Sequence, residues 1–220
     1  MRTISLALFS LAVMCCQSAV VTGVDLDDAL SQLPRYRLGE QDEAINTIRD
    51  AAVASFDDPA RRRSLASQLA AILESEATGD AQRFACRQLA LIGTEREVSA
   101  LAKLLTDGRL SQIARYALAR IPGKTADLAL IDALGRTDGA NQLGIINTLG
   151  NRRCAAAIEP LGRLLRTGDR NVVEEAARAL GRIGTPAAAG ALEPALAADQ
   201  DVIADAYLHC ADMLAAEDQG

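Results

Sequence analysis

The sequence predicts an all-α fold: a right-handed α-solenoid of stacked antiparallel helix pairs, about five repeats followed by a terminal capping helix. Three observations predict it. Leu89, Leu118, Leu149 and Leu180 recur 29, 31 and 31 residues apart. A second set, Leu105, Leu134, Leu165 and Leu196, recurs at the same irregular spacings. Around these anchors the apolar residues fall three and four apart, as in Ala176, Ala177, Leu180 and Ile183, which places them on one helical face. Two independent anchors sharing one period mark a repeat of two helices, and a unit with one apolar face finds its dry contacts on the unit beside it.

Taken in chain order, residues 1–23 read as a secretory signal peptide. Arg2 supplies the positive end, Ile4 to Cys16 the apolar stretch, and acidic residues follow. Cleavage after Ser18 and cleavage after Gly23 both fit, and the mature protein is expected outside the cytoplasm, periplasmic or secreted. A lipid anchor on a leader cysteine fits less well, since Met14 precedes Cys15 and Cys15 precedes Cys16 where a small residue is wanted. Residues 24–40 read as an acidic linker and residues 41–220 as the solenoid domain. Beyond the leader no run approaches the ~18 apolar residues of a membrane span.

Residues 41–56 supply the first helix of the domain, and "LASQLAAIL" (65–73), anchored by Leu73, the second. First helices then recur at "FACRQLALIG", "RYALARIPG", "GIINTLGN" and "AARALGRIG", and second helices at "SALAKLL", "LALIDAL", "IEPLGRLL" and "GALEPAL". Their ends carry matching signals. Thr94 with Glu97 has the capping-box spacing, Thr185 precedes a first-turn Pro186, and Gly93 and Gly184 stand where helices stop. Asp201 to Ala215 repeats the first-helix pattern with no second helix after it.

The chain has no Trp, three Phe and three Tyr, so its core is aliphatic. Stacked helix pairs need Leu and Ile as anchors, with Ala and Gly where backbones approach closely. Cys86, Cys154 and Cys210 remain after the leader. An odd, widely spread set is no disulfide framework, and Cys86 and Cys210 are expected to pack as small hydrophobes.

The net charge of −6 is unevenly distributed. Residues 24–79 hold 11 acidic and 6 basic side chains, residues 80–196 hold 12 and 16, and residues 197–220 hold 6 and none. Asp201, Asp205 and Asp212 suit the solvated face of a capping helix whose Val202, Ala206 and Met213 turn inward. Arg83 with Arg87 and Arg178 with Arg182 lie four apart on first helices, and Arg115, Arg120, Arg152 and Arg153 extend the series. "RRR" (61–63) follows Asp58-Pro59 into a first helical turn, where the helix dipole prefers anions; Asp57 and Asp58 offset it. On second helices, Lys103, Asp132, Glu159, Arg163 and Arg166 are expected to line the inner, concave surface. That mixed-sign set favours a protein partner over a polyanion.

The segment "VVEEAARALGRIGTPAAAGALEPAL" resembles the HEAT-like repeat family, in the short ~30-residue form also found in phycobilin lyases. The resemblance spans residues 80–210, and 41–79 more weakly; Val173 stands where that repeat commonly has Arg. It implies an interaction scaffold that docks a protein, with a lyase-like or chaperone subunit as the alternative. HEAT-like hydroxylases use repeated His-Glu pairs, which this chain lacks, and HEAT-like DNA glycosylases bind nucleic acid, which negative ends and few aromatics oppose. His209 is the single histidine. No spacing in the chain matches a metal site, a haem attachment, a phosphate loop or a nucleophile-base pair. No catalytic residue, cofactor or metal is expected, and partner identity and oligomeric state are left open.

Overall fold

The structure, a computed structural model, describes residues 24–40, 43–198 and 201–217. Twelve α-helices and no strand occur among them. Helix α1 (Leu26–Gln32) opens the stack. Five pairs follow: α2 (Glu43–Ala54) with α3 (Pro59–Leu73), α4 (Gly79–Ile92) with α5 (Val98–Lys103), α6 (Ser111–Arg120) with α7 (Lys124–Leu134), α8 (Gly139–Asn151) with α9 (Ile158–Thr167), and α10 (Arg170–Ile183) with α11 (Pro186–Leu192). Helix α12 (Asp201–Glu217) ends the described stack as a first helix without a second. First helices pack on first helices, as α4 on α6 and α8 on α10 on α12; second helices form the other layer, and each also packs on the first helix of the next pair. This is the expected solenoid. The residues expected to form a leader, 1–23, lie outside the described residues. No described helix is long and apolar enough to cross a membrane.

Leu89, Leu118, Leu149 and Leu180 are all fully buried. The small residues between them let backbones meet: a Cβ on Gly150 would fall 2.8 Å from the Ala179 Cα, so α8 and α10 touch at main-chain distance. Of the second anchors, Leu105 and Leu134 are buried and Leu165 partly so. Leu196 is the exception at 36% exposed, while Leu192, in the separate column of Leu101, Leu130 and Leu161, is fully buried as they are. After α11 the chain tightens into a 3₁₀ segment, Glu193–Ala198, whose three residues per turn rotate Leu196 off the inward face.

Residues 24–40 are not the acidic linker expected. Ala29, Leu30 and Leu33, at i, i+1 and i+4, are buried and seat α1 on α2. Tyr36 packs edge-on against Phe84 at 6.2 Å, and its carbonyl accepts from the Thr78 hydroxyl. The Leu38 N–H donates to Asp80 at 3.1 Å. The segment therefore covers the open end of the stack, as α12 covers the other. Its aspartates had masked a short apolar stripe.

The caps follow the sequence signals. Thr94 and Glu97 form the capping box, Thr185 accepts from the Ala188 N–H, and Gly184 ends α10 with φ +65°. The same function falls to Arg153 at the end of α8. Its φ is 49°, the one positive value at a non-glycine described residue. Arg153 N–H donates to Gly150 O at 2.9 Å and Cys154 N–H to Leu149 O at 3.1 Å, a Schellman pattern with arginine where glycine belongs. Replacing Arg153 with Gly is expected to raise stability by about 0.5–1 kcal/mol, the relief of left-handed strain less the added freedom of the unfolded chain. Thermal melting checks it; an unchanged or lower melting point would remove the strain at this cap.

Candidate protein-docking surface

The second-helix layer carries the five expected contact residues, and all are exposed. Their charges are largely answered from within the layer. Lys103 Nζ lies 2.5 Å from Glu74 Oε1 at the end of α3. Asp132 pairs with Arg136 and Glu159 with Arg163, each one helical turn apart. Arg166 donates to the Gly162 carbonyl at 3.2 Å.

Two of the five, Arg163 and Arg166, border an open cleft of about 400 Å³ between α7, α8 and α9. Its walls include Ile131, Leu134, Gln142, Pro160 and Leu164. Lys103, Asp132 and Glu159 do not line it. Sequence reasoning missed the apolar wall. Its signal was the surplus of apolar residues beside the anchors, Ile131 beside Leu134 and Leu164 beside Leu165, which the inter-repeat core only partly uses.

A second cleft of about 410 Å³ lies at the turn edge, where Arg62, Arg63, Thr94, Glu95 and Pro122 meet. Here "RRR" is explained. Asp58 caps α3 by accepting from the Ala60 and Arg61 N–H groups at 3.0 Å, which places its anion on the helix N-terminus. Arg62 Nε donates to Ile92 O at 3.0 Å, tying α3 to the end of α4.

Arg152 breaks the repeat most sharply. It stands three residues after Leu149, where the other units place Ile92, Ile121 and Ile183. Its side chain is only 10% exposed and pairs with Asp127 of the preceding unit at 2.5 Å. Asp127, 22% exposed, takes the place that Val98 holds in the unit before. Two core positions facing each other across a unit boundary are thus an ion pair. The guanidinium also donates to the carbonyls of Leu118, Ala119, Ile121 and Gly123 at 2.7–3.2 Å, closing the end of α6.

Cys86, Cys154 and Cys210 are free and buried. Burial pushes the Cys86 thiol up to about 12, against the lowering effect of Arg87. The Cys210 thiol, also raised by burial, donates to Leu180 O at 3.5 Å. These thiols pack as small hydrophobes, as expected for Cys86 and Cys210. His209 is exposed on α12, and no cluster of His, Cys, Asp or Glu able to hold a metal occurs among the described residues.

Fold and surface together define an α-helical repeat scaffold. Residues 128–208 match the family model of HEAT repeats. No curated protein matches the sequence. Among solved structures, an engineered protein is 21% identical over 86% of this chain and 97% of its own, with a TM-score of 0.46. Human deoxyhypusine hydroxylase in complex with glycerol is 18% identical over 86% and 95%, with a TM-score of 0.41. A second engineered protein is 22% identical over 83% of this chain and 56% of its own, with a TM-score of 0.44.

Proposed function

We propose that this protein is an exported scaffold that acts by binding, and that it docks a partner protein on its second-helix layer at the cleft between α7, α8 and α9. The observation that carries this reading is the pairing, in one open cleft, of an apolar wall with two exposed arginines. Ile131 and Leu164 offer area to an apolar side chain, and Arg163 and Arg166 can each fork onto a carboxylate. An apolar centre beside charges that fix register is the anatomy of a specific protein contact.

The test uses the protein as bait against the extracytoplasmic fraction of its native cell. A retained partner is expected, with retention at least about tenfold weaker for the Arg163→Glu/Arg166→Glu double variant. Arg109→Glu, exposed and away from the cleft, is expected to leave retention unchanged. Equal retention by the double variant refutes the site, and a partner found only in the cytoplasmic fraction refutes export.

A further inference from the structure

The arginines of the first-helix layer are answered unevenly. In α10, Arg178 is held by Glu174 and Glu175, and Arg182 by Glu175. In α4 the place of Arg178 is taken by Arg87 and that of Glu174 by Arg83, so two like charges lie one turn apart, where they repel. Both border an open cleft of about 290 Å³ between α4 and α6, lined also by Gln112, Ile113 and Tyr116. Arg120 lies over the Tyr116 ring at 4.5 Å. None of these three arginines has a carboxylate at ion-pair distance among the described residues. Asp80 and Asp107 are committed to main-chain N–H groups, Asp80 to that of Leu38 at 3.1 Å and Asp107 to those of Arg109 and Leu110 at 2.7 and 2.8 Å. The Arg109 N–H above all holds the Asp107 carboxyl low, and Arg83 adds a smaller pull.

A fourth arginine lies on the other side of Tyr116. Arg115 stands in a column that other units fill with Cys86, Ile146 and Ala177, all buried. It is half-buried and turns toward α8, where its guanidinium lies on Gly144; a Cβ there would fall 2.2 Å from its Cζ. Its Nε is buried without an acceptor, and burial lowers its pKa, because the charge gives up water and gains no carboxylate in exchange. The next unit is built differently. There the place of Gly144 is held by Glu175, whose carboxylate reaches back to Asn147 of α8 at 3.0 Å. A carboxylate reaching back from position 144 in the same way would arrive beside Tyr116, which is to Gly144 as Asn147 is to Glu175. Glycine stands at that position instead, and four arginines surround one tyrosine without an acid among them.

We propose that this face, across α4, α6 and α8, docks an acidic segment of a partner protein, which supplies from outside the carboxylates that α10 supplies to its own arginines. Leu91 and Tyr116, 46% and 43% exposed, offer apolar area on the same face. Helices α4 and α8 lie two helix spacings apart, about 16–20 Å, which an extended segment of about five or six residues covers. Acidic side chains toward both ends of that segment fork onto Arg83 and Arg87 and onto Arg115, while an apolar side chain between them lies over Tyr116. A long polyanion fits poorly. Beyond α8, whose outer Asn147 and Asn151 are neutral, the arginines of α10 are already neutralised and α12 presents Asp201 and Asp205, whereas nucleic-acid affinity grows with the number of phosphates met by cations. The cleft at Arg163 and Arg166 belongs to the opposite layer, so the two sites are independent.

The experiment is fluorescence anisotropy of a rhodamine-labelled peptide, Asp-Glu-Ser-Leu-Ser-Glu-Asp, titrated with the purified protein at 0.1 M and 1 M salt, between which the screening length falls from about 10 to about 3 Å. Saturable binding is expected at low salt, at least about tenfold weaker at high salt. Arg83→Gln/Arg87→Gln, Arg115→Gln and Gly144→Glu, the last supplying the carboxylate from within, are each expected to weaken it at least about tenfold with unchanged helical circular dichroism. Arg163→Glu/Arg166→Glu is expected to leave it unchanged. No binding at low salt, equal binding of Asn-Gln-Ser-Leu-Ser-Gln-Asn, full affinity in any of the three face variants, or tighter binding of an oligo-dT strand at the same arginines overturns the proposal. So does a dimer in sedimentation velocity that Arg83→Gln/Arg87→Gln dissociates, since the face then belongs to a second copy.

Discussion

Leu180→Asp is expected to destabilise the protein by more than about 3 kcal/mol. Leu180 is fully buried in α10 between α8 and α12, so the new carboxylate has neither water nor a cation within the dry layer. The packing cannot open to admit water, because the backbones already touch. Ala179 lies against Gly150, a Cβ on Gly181 would meet Ala206 at 3.2 Å, and the Cys210 thiol bonds the Leu180 carbonyl. For a chain of this size the loss corresponds to a fall in melting temperature of roughly 6–12 °C or more. Leu180→Met, which conserves volume and polarity, is expected to cost under about 1.5 kcal/mol. An unchanged melting point for the aspartate variant would show that this column does not carry the inter-unit contact.

Arg152→Ala is expected to cost about 3–5 kcal/mol, the cost of breaking a buried ion pair from one side. The variant leaves Asp127 without its cation at the unit boundary and withdraws the donor shared by four carbonyls at the end of α6. The double replacement Arg152→Met/Asp127→Leu is expected to recover most of that loss, because equivalent units fill these places with isoleucine and valine and need no charge there. The cycle measures the coupling between the two groups directly. A single variant melting within about 0.5 kcal/mol of wild type would place the pair among the many surface contacts of little energetic weight. A double variant no better than Arg152→Ala would show that the carbonyl contacts, and not Asp127, are the main debt of the site.

How much of this was legible beforehand depends on the range of the interaction concerned. Helix existence, the buried leucine columns and the Thr94, Thr185 and Gly184 caps are set within one or two turns of chain, and all were readable. The break at Arg152 was also visible as an arginine in an isoleucine column. Its partner was not, since Asp127 lies on another unit and only stacking brings the two together. The five charged residues expected on the second-helix layer are there, but an exposed position says nothing of what lies next to it. Internal partners take up Lys103 and Asp132, Glu159 and Arg163 pair with each other, and only Arg163 and Arg166 border the cleft.

The sequence by itself determined the solenoid, because a repeat with one apolar face per helix has a single way to hide those faces: against the next copy of itself. Tertiary structure alone decided that residues 24–40 cover the first pair instead of linking to it. It also decided that Leu196 turns out of the anchor column in the 3₁₀ segment after α11, and that α4 and α12 keep charges that α10 neutralises. Each of these depends on which side chains from distant units arrive at the same place, and periodicity, being local, carries no record of that.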